Sequence, residues 1–306
     1  MNNRPRFESR ELELLRILSR RLELPLKEEN QYLFLQKGFE GELHFDRELQ
    51  NFPDSFIILN DLLLESSNTH FQIDTLLIAG STLFVFEVKN YEGDYCIENE
   101  RWYSLPSKIE IKNPLLQLQR CETLLRALLK ELGFHLPIKS HLIFINPGFQ
   151  LYQAPLNIPA VFPPQLKRFL EKLKNTPNVT TSRNMKLAEQ LNARCLKENP
   201  YMRKPEYNYT QLRKGVPCDS CSSFLTPLTQ GYLTCGECGL KEKADTAIIR
   251  CVNEYKVLFP DRKITTKTIV DWCGGAFSEK TVRRVLSRKY IIQGHGKYSY
   301  YTEQQN

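Results

Sequence analysis

Three ionisable residues, Asp74, Glu87 and Lys89, stand inside two otherwise apolar runs that are typical of β-strands. Gly80 and Ser81 separate the runs and suit a two-residue hairpin turn. A symmetric turn there pairs Asp74 with Glu87, with Cβ atoms roughly 5 Å apart on one face. Lys89 points the same way about 7 Å further along its strand. Two carboxylates this close in an apolar sheet do not both stay ionised without a cation between them. The sequence therefore predicts a divalent-metal site beside an amine, a pattern suited to metal-assisted hydrolysis.

The alternative interpretation is a solvated surface ladder in which Glu87 simply pairs with Lys89. Apolar residues on both faces of the runs argue against it. On the face of Asp74 they are Leu76, Ile78, Leu83 and Val85, and on the other face they are Ile73, Leu77, Phe84, Phe86 and Val88. A strand pair of this kind lies centrally in a sheet that is covered on both sides. Buried acids in such strands favour a site.

Two predicted helices place further polar residues on buried stripes. A helix over about 38–51 carries Glu42 on its apolar face. A second helix, over 114–132 with Asn113 as N-cap, carries Gln117 on a stripe of core residues. Each of the two is, taken alone, more often a satisfied buried polar group than a functional one. Their occurrence beside the carboxylate pair favours the site.

The arrangement Asp-x12-Glu-x-Lys resembles the PD-(D/E)XK nuclease superfamily. The EVKN form, with G-x-x-G-E upstream and N-P-x-x-Q downstream, resembles the nuclease-related NERD domain over roughly residues 36–150. Ile73 stands where the superfamily often has a proline, a position that varies within it. The resemblance implies a restriction-endonuclease-like α/β fold, with a mixed central sheet flanked by helices, and nuclease activity.

The resemblance also implies a role for each motif residue. These are Asp74, Glu87 and the Val88 carbonyl as ligands of Mg²⁺ or Mn²⁺, Lys89 as the catalytic lysine, Glu42 as the supporting helix acid and Gln117 as the helix glutamine near the site.

Composition predicts a cytoplasmic globular protein without a membrane segment. The 306 residues are 41% hydrophobic and 25% charged, and no run reaches the ~18 apolar residues of a membrane span. The first residues lack the apolar segment of a signal peptide. Nine cysteines are then expected as thiols or metal ligands rather than disulfides.

Charge is distributed unevenly along the chain. Residues 1–200 contain 25 basic and 25 acidic residues, whereas residues 201–306 contain 17 basic and 10 acidic ones. The basic C-terminal third therefore predicts a polyanionic partner, most simply DNA, although nothing in the residues excludes RNA.

Four cysteines have the spacing C-x2-C–x13–C-x2-C: Cys218, Cys221, Cys235 and Cys238. Each pair directs two thiolates to one point, and four thiolates suit tetrahedral Zn²⁺. With every position taken by cysteine, the zinc is expected to be structural. A redox pair needs only one C-x-x-C in a thioredoxin-like context, and neither condition holds. The segment resembles a zinc ribbon, which could bind DNA or only brace the fold.

Residues 244–306 predict three helices followed by a β-hairpin, an order that resembles a winged helix. Ser278 is the expected N-cap of the third helix, on which Val282, Val285 and Leu286 form the core stripe. The expected DNA contacts are the outward cations of this helix and of the hairpin: Lys280, Arg283, Arg284, Arg288, Lys289 and Lys297. The alternative is a solvated basic helix in a protein-interaction module.

The chain is thus predicted to contain five segments. They are a helical extension at 1–35, a nuclease-like domain at 36–197, a linker at 198–216, a zinc ribbon at 217–243 and a winged-helix-like domain at 244–306. Within the extension, a helix and connector at 8–30 are expected to pack on the nuclease core. The expected function is Mg²⁺-dependent cleavage of DNA. The alternative is a non-catalytic DNA-binding regulator that uses the nuclease-like domain as a scaffold or end sensor. Exonuclease or endonuclease action and oligomeric state stay open.

Overall fold

The computed structural model describes residues 3–105, 107–176, 178–202, 204–228 and 231–303. The chain divides into two compact units. The first contains Met1–Ser9 and Leu33–Met202, and the second contains Arg10–Tyr32 and Arg203–Asn306. The five segments expected from the sequence remain a prediction.

Helices and strands alternate through the first unit, and short elements dominate the second. The helices are α1 (Arg10–Ser19), α2 (Leu26–Leu49), α3 (Pro114–Glu131), α4 (Pro163–Lys174), α5 (Ser182–Arg194), α6 (Ala244–Leu258), α7 (Thr266–Trp272) and α8 (Glu279–Lys289). The strands are β1 (Ile57–Ser66), β2 (Thr69–Ala79), β3 (Thr82–Lys89), β4 (Gly93–Glu98), β5 (Arg101–Ser104), β6 (Ile109–Ile111), β7 (Ile138–Phe144), β8 (Phe149–Tyr152), β9 (Ala160–Val161), β10 (Thr226–Pro227), β11 (Tyr232–Thr234), β12 (Lys241–Lys243), β13 (Ile291–Gln293) and β14 (Tyr300–Thr302).

The first unit is built on a mixed five-stranded sheet of order β1-β2-β3-β7-β9. β1, β2 and β3 are antiparallel, whereas β7 is parallel to both β3 and β9. One apolar core lies between the sheet and α3 and α5, and a second contains residues of α2 and α4. The predicted α/β class, a mixed sheet with helices on both sides, is therefore confirmed.

A second sheet of order β6-β5-β4-β8 continues from the same strand pair. β4 follows β3 and is parallel to β8, which follows β7. Between the two sheets, the segment after β3 and the segment after β7 are joined by two backbone hydrogen bonds. Ile145 N donates to Lys89 O at 3.1 Å, and Gly93 N donates to Gly148 O at 3.0 Å. Lys89 consequently lies at the bend where one sheet ends and the other begins.

The alternation of β2 side chains between the two faces of the sheet is interrupted at Asp74. The prediction placed Ile73 on the face opposite Leu76, yet both contribute to the same core. Asp61 stands opposite Asp74 in the register of β1 and β2 and has a φ of +51°, and the ladder has no pair at this point. The break in the ladder coincides with the change of face, since Ile73 lies just before it and Leu76 just after it.

The second unit has its own apolar core, to which α1, α6, α7 and α8 all contribute. We expected the helix and connector within residues 8–30 to pack on the nuclease-like core. That expectation is wrong for α1, because Leu14, Ile17 and Leu18 belong to the core of the second unit. Arg21, just after α1, forms a buried ion pair with Glu254 of α6 at 2.6 Å.

The C-terminal elements follow the predicted order. α7 has Thr265 as N-cap, and Gly274 and Gly275 after it both have positive φ, as a sharp turn before α8 requires. A single bridge joins Ile264 to Tyr301 of the β13–β14 hairpin. Within the residues described, none of the helices combines the length and apolarity needed to cross a membrane.

Candidate functional site

The β2–β3 hairpin has the register expected from the sequence. Its pairs run from Ala79 with Thr82 to Thr75 with Phe86, and Gly80 has a φ of +53° as a tight turn demands. The ladder ends one step before Asp74. There Val88 N donates to Asp74 Oδ2 at 2.8 Å, so a carboxylate replaces the usual carbonyl acceptor.

The three predicted site residues of this hairpin lie together. Asp74 is 7% exposed and Glu87 is 2% exposed. Lys89 Nζ donates to Glu87 Oε1 at 2.7 Å. The structure thus brings two buried acids and one amine to the end of two central strands, as the spacing predicted.

Gln117 reaches the same place from α3, but not as predicted. Its Oε1 accepts a hydrogen bond from Lys89 Nζ at 3.1 Å. The residue is exposed, so the expectation of a buried amide was wrong. The buried stripe of the helix runs through Leu118, Cys121 and Leu125, one position further along than Gln117. The side chain therefore approaches the site from the solvent side.

Glu42 extends from α2 towards the site and is held by an arginine that the sequence analysis missed. Arg6 Nη1 donates to Glu42 Oε2 at 2.7 Å. The same guanidinium binds Asp46, one turn along α2, with Nε to Oδ2 at 2.9 Å and Nη2 to Oδ1 at 3.1 Å. The Arg6 side chain is only 1% exposed. A lone arginine in a polar N-terminal segment has no periodicity or spacing that would have singled it out.

Close packing between α2 and the end of β3 sets the position of Glu42. A Cβ atom at Gly41 would lie 2.6 Å from Asn90 Cβ, closer than real contacts allow. Asn90 Nδ2 donates to Lys37 O at 2.8 Å, and Asn146 Nδ2 donates to Asn90 Oδ1 at 3.1 Å. Gly41 and Asn90 stood in the sequence motifs without an assigned role. The structure shows that they fix the helix carrying Glu42 against the strand carrying Glu87.

Negative charge exceeds positive charge around these residues. The buried or half-buried cluster contains four carboxylates and two cations: Glu42, Asp46, Asp74 and Glu87 with Arg6 and Lys89. Burial and the neighbouring Asp74 raise the pKa of Glu87 to about 7 and that of Glu42 to about 8. Burial also raises the pKa of Asp74.

The pKa of Lys89 is raised as well. Burial acts to lower it, but the Glu87 and Asp74 carboxylates outweigh that effect. Lys89 is therefore a protonated donor in this arrangement.

The donor set of this cluster suits a hard divalent cation, since Mg²⁺ and Mn²⁺ prefer carboxylate and carbonyl oxygens. Four carboxyl groups beside two cations in an apolar setting are neutralised either by protons, as the raised pKa values of Glu42, Asp74 and Glu87 indicate, or by a bound cation. Within the described ranges, however, only the four cysteines bring three or more ligand atoms within 4.8 Å of one another. Glu42, Asp74 and Glu87 do not converge to that degree, since Lys89 holds Glu87 and Arg6 holds Glu42.

The four predicted zinc ligands do converge. Their Sγ atoms all lie within 4.8 Å of one another, with Cys218 to Cys238 at 3.6 Å and Cys221 to Cys235 at 3.4 Å. A tetrahedral zinc with Zn–S bonds of about 2.3 Å has sulfur atoms roughly 3.8 Å apart. The cluster thus fits Zn²⁺, consistent with the zinc ribbon expected from the spacing.

The two C-x2-C turns share one backbone geometry. Ser222 N donates to Cys218 O at 3.0 Å, and Gly239 N donates to Cys235 O at 3.1 Å. Ser222 and Gly239, each directly after the second cysteine of its pair, have φ of +63° and +72°.

The predicted DNA-contacting cations of α8 are on its surface. Val282, Val285 and Leu286 are buried as expected. The exposed residues are Lys280, Arg283, Arg284, Arg288 and Lys289. The side chain of Lys297 lies outside the described part of the structure.

The charges of these cations are not equally available. Arg284 pairs with Asp245 of α6 at 2.5 Å, and Arg288 pairs with it at 3.6 Å. In the part of the chain that the structure describes, Lys280, Arg283 and Lys289 form no ion pair. Their contact with nucleic acid stays a prediction.

Residues 37–145 match the family model of the nuclease-related domain, NERD. The matched segment includes the whole candidate cluster apart from Arg6: Glu42, Asp46, Asp74, Glu87, Lys89 and Gln117. No curated protein sequence matches the chain. The first unit therefore carries a nuclease-related domain, and the four-cysteine cluster of the second unit could bind zinc.

Proposed function

We propose that this protein is a metal-dependent nuclease that hydrolyses the phosphodiester bonds of DNA. The observation that carries the proposal is that Asp74 and Glu87 are buried beside Lys89 at the ends of two central strands, in a cluster where carboxyl groups outnumber cations. The match of residues 37–145 to the nuclease-related domain supports it. Burying carboxylates destabilises a fold even when they are paired with cations, so a structural role alone gives no reason for this cluster.

Asp74, Glu87 and the Val88 carbonyl would hold the Mg²⁺ or Mn²⁺ ion. A divalent ion at that position supplies Lewis acidity, which activates water and neutralises charge on the phosphate. Lys89, kept protonated by the neighbouring acids and held by Gln117, donates a hydrogen bond to a phosphate or leaving oxygen rather than removing a proton from water. Glu42 completes the acidic group from the helix side.

The second unit would supply affinity for nucleic acid. The described part of α8 carries three exposed cations without an ion-pair partner, Lys280, Arg283 and Lys289, and such cations bind phosphates. The zinc cluster, which has no open coordination position, would stabilise the fold of this unit rather than take part in hydrolysis.

A second candidate function is a non-catalytic DNA-binding regulator. One observation favours it: Lys89 and Arg6 already pair with Glu87 and Glu42, so both acids have a counter-charge in the absence of an ion. In this alternative the nuclease-related domain serves as a scaffold or as a sensor of DNA ends.

Cleavage assays with matched variants separate the two candidates. The full chain is incubated with plasmid, linear duplex, single-stranded DNA and RNA in Mg²⁺, and again in Mn²⁺. Asp74→Asn and Lys89→Met should abolish cleavage, while Asp94→Asn, an exposed acid in β4, should leave it unchanged. Equal cleavage by all preparations would mean a contaminant, and no cleavage by the parent would favour the regulator. Cleavage of RNA but of none of the DNA substrates would mean that the substrate is RNA.

Binding measurements test the role of α8. With Asp74→Asn protein and duplex DNA, Arg283→Ala should lower the salt dependence of the binding constant by about one released ion. Arg284→Ala should have a smaller effect, because Asp245 already neutralises that cation. An unchanged salt dependence in Arg283→Ala would place the nucleic-acid interface elsewhere.

A further inference from the structure

Residues 3–6 lie along the outer edge of the main sheet of the first unit, where Arg4 forms a parallel bridge with β1. Arg4 N donates to Ile58 O at 3.0 Å, and Asn60 N donates to Arg4 O at 3.2 Å, the pattern of a parallel bridge on β1. Asn3 Oδ1 also accepts a hydrogen bond from Ile58 N at 3.0 Å. Because β1 is the outer strand of its sheet, this segment covers an edge that would otherwise be unpaired.

This N-terminal segment places Arg6 in the acidic cluster. In addition to Glu42 and Asp46, the guanidinium binds β2: Arg6 Nη2 donates to Asp74 O at 2.7 Å and to Thr75 Oγ1 at 3.0 Å. One planar group therefore joins two carboxylates of α2 to the backbone of the residue predicted to hold the metal.

The shape of arginine matters for these contacts. Its five donors are fixed in one plane, so Asp46 can be bound through two nitrogens while Glu42 and Asp74 O are bound in other directions. A lysine ammonium at the same place is a point charge and cannot satisfy all of these acceptors together. The spacing between the helix acid and the strand acid is thus defined by a rigid group.

We propose that Arg6 is a positioning residue of the candidate metal site, which makes the N-terminal segment a working part of the nuclease-related unit although it lies outside residues 37–145. This inference depends on the proposed function, since it concerns the same site. Arg6 acts through Glu42 and through the Asp74 backbone. Groups that orient metal ligands in this way typically change metal affinity by about 10- to 100-fold when they are replaced.

A purely structural or purely electrostatic Arg6 has different consequences. If Arg6 only packs the segment, its replacement lowers thermal stability and leaves metal affinity unchanged. If only its positive charge matters, removing that charge from an acidic cluster strengthens cation binding, and lysine substitutes fully. A positioning role predicts weaker metal binding both when the charge of Arg6 is removed and when lysine keeps it.

Calorimetric titration of the full chain with MnCl₂ tests this. The variants are Arg6→Gln and Arg6→Lys. Arg4→Gln is the matched control, because Arg4 is in the same segment and, among the residues described, its side chain donates only to Asn60 O, at 3.1 Å. Each titration is run well below the melting temperature of that variant. We expect both Arg6 variants to bind Mn²⁺ at least about 10-fold more weakly than the parent. The Mn²⁺ affinity of Arg4→Gln should differ from that of the parent by less than about twofold.

Four outcomes would overturn the inference. They are Mn²⁺ binding by folded Arg6→Gln that is as tight as in the parent or tighter, parent-like binding by Arg6→Lys, an equal loss in Arg4→Gln, and no Mn²⁺ binding by the parent, which would also refute the metal-dependent function. If Arg6→Gln does not fold, Arg6→Lys decides by the same criterion. A parent that binds Mn²⁺ but cleaves no nucleic acid would refute the proposed function alone.

Discussion

Replacing Gly41 by alanine tests how the helix acid is held in place. Gly41 lies inside α2, and a Cβ there would stand 2.6 Å from Asn90 Cβ. That neighbour is the first side-chain atom of a residue at the end of β3, so it cannot rotate away. The helix or the strand end must move, and Glu42 moves with the helix.

The size of the effect follows from three opposing terms. Alanine in place of glycine stabilises a helix interior by about 1 kcal/mol. Overpacking costs about 1–3 kcal/mol, and loss of the bond from Asn90 Nδ2 to Lys37 O costs about 1 kcal/mol more. We therefore expect Gly41→Ala to destabilise the first unit by roughly 1–3 kcal/mol. Gly38→Ala is the matched control. It lies three residues earlier in the same helix with nothing within 4 Å of its added Cβ, and it should stabilise by about 1 kcal/mol.

The assay must follow the first unit alone. The protein has two tryptophans, Trp102 in the first unit and Trp272 in the second. Trp272→Phe leaves Trp102 as the fluorescence reporter of the first unit. It removes an indole nitrogen that is buried without a hydrogen-bond partner. Urea unfolding in this background gives both stability changes. Equal stability of Gly41→Ala and Gly38→Ala would refute the close-contact explanation. Recovery of stability in Gly41→Ala with Asn90→Gly would support it.

Three further predictions concern zinc, a buried ion pair and pH. Metal analysis should find one zinc per chain, greatly reduced in Cys218→Ser and unchanged in Cys195→Ser; a parent without zinc would show that the cluster was misread. Glu254→Gln leaves Arg21 buried without its charge partner and should destabilise the second unit by about 3–5 kcal/mol in urea, and a loss below about 1 kcal/mol would contradict this. Burial raises the pKa of Glu42 from 4.5 to about 8, so its proton stabilises the metal-free fold fully below pH 4.5 and less and less as pH rises towards 8. In EDTA the first unit should therefore lose stability between pH 5 and 8, and Glu42→Gln should flatten that slope; an identical slope in both proteins would show that Glu42 does not titrate in this range.

Local pattern determined much of this protein from the sequence. The glycine turn and the apolar alternation defined the β2–β3 register as far as Thr75 and Phe86, because side chains in a strand repeat every two residues and one tight turn sets the pairing. Asn113 and Ser278 are N-caps as predicted, since capping depends on the neighbouring three residues. The cysteine spacing predicted the four-thiol cluster for the same reason: each pair spans a single turn.

Contacts between distant parts of the chain were decided only by the tertiary structure. Arg6 lies 36 residues before Glu42 and 68 before Asp74, and no periodicity relates them. Ile73 and Leu76 contribute to the same core although the alternation placed them on opposite faces, and α3 approaches the sheet so that Gln117 stays exposed. Sequence periodicity describes the faces of one element. The relative placement of two elements depends on how their side chains pack, so the sequence alone predicted the residues of the site but not the arginine that orders them.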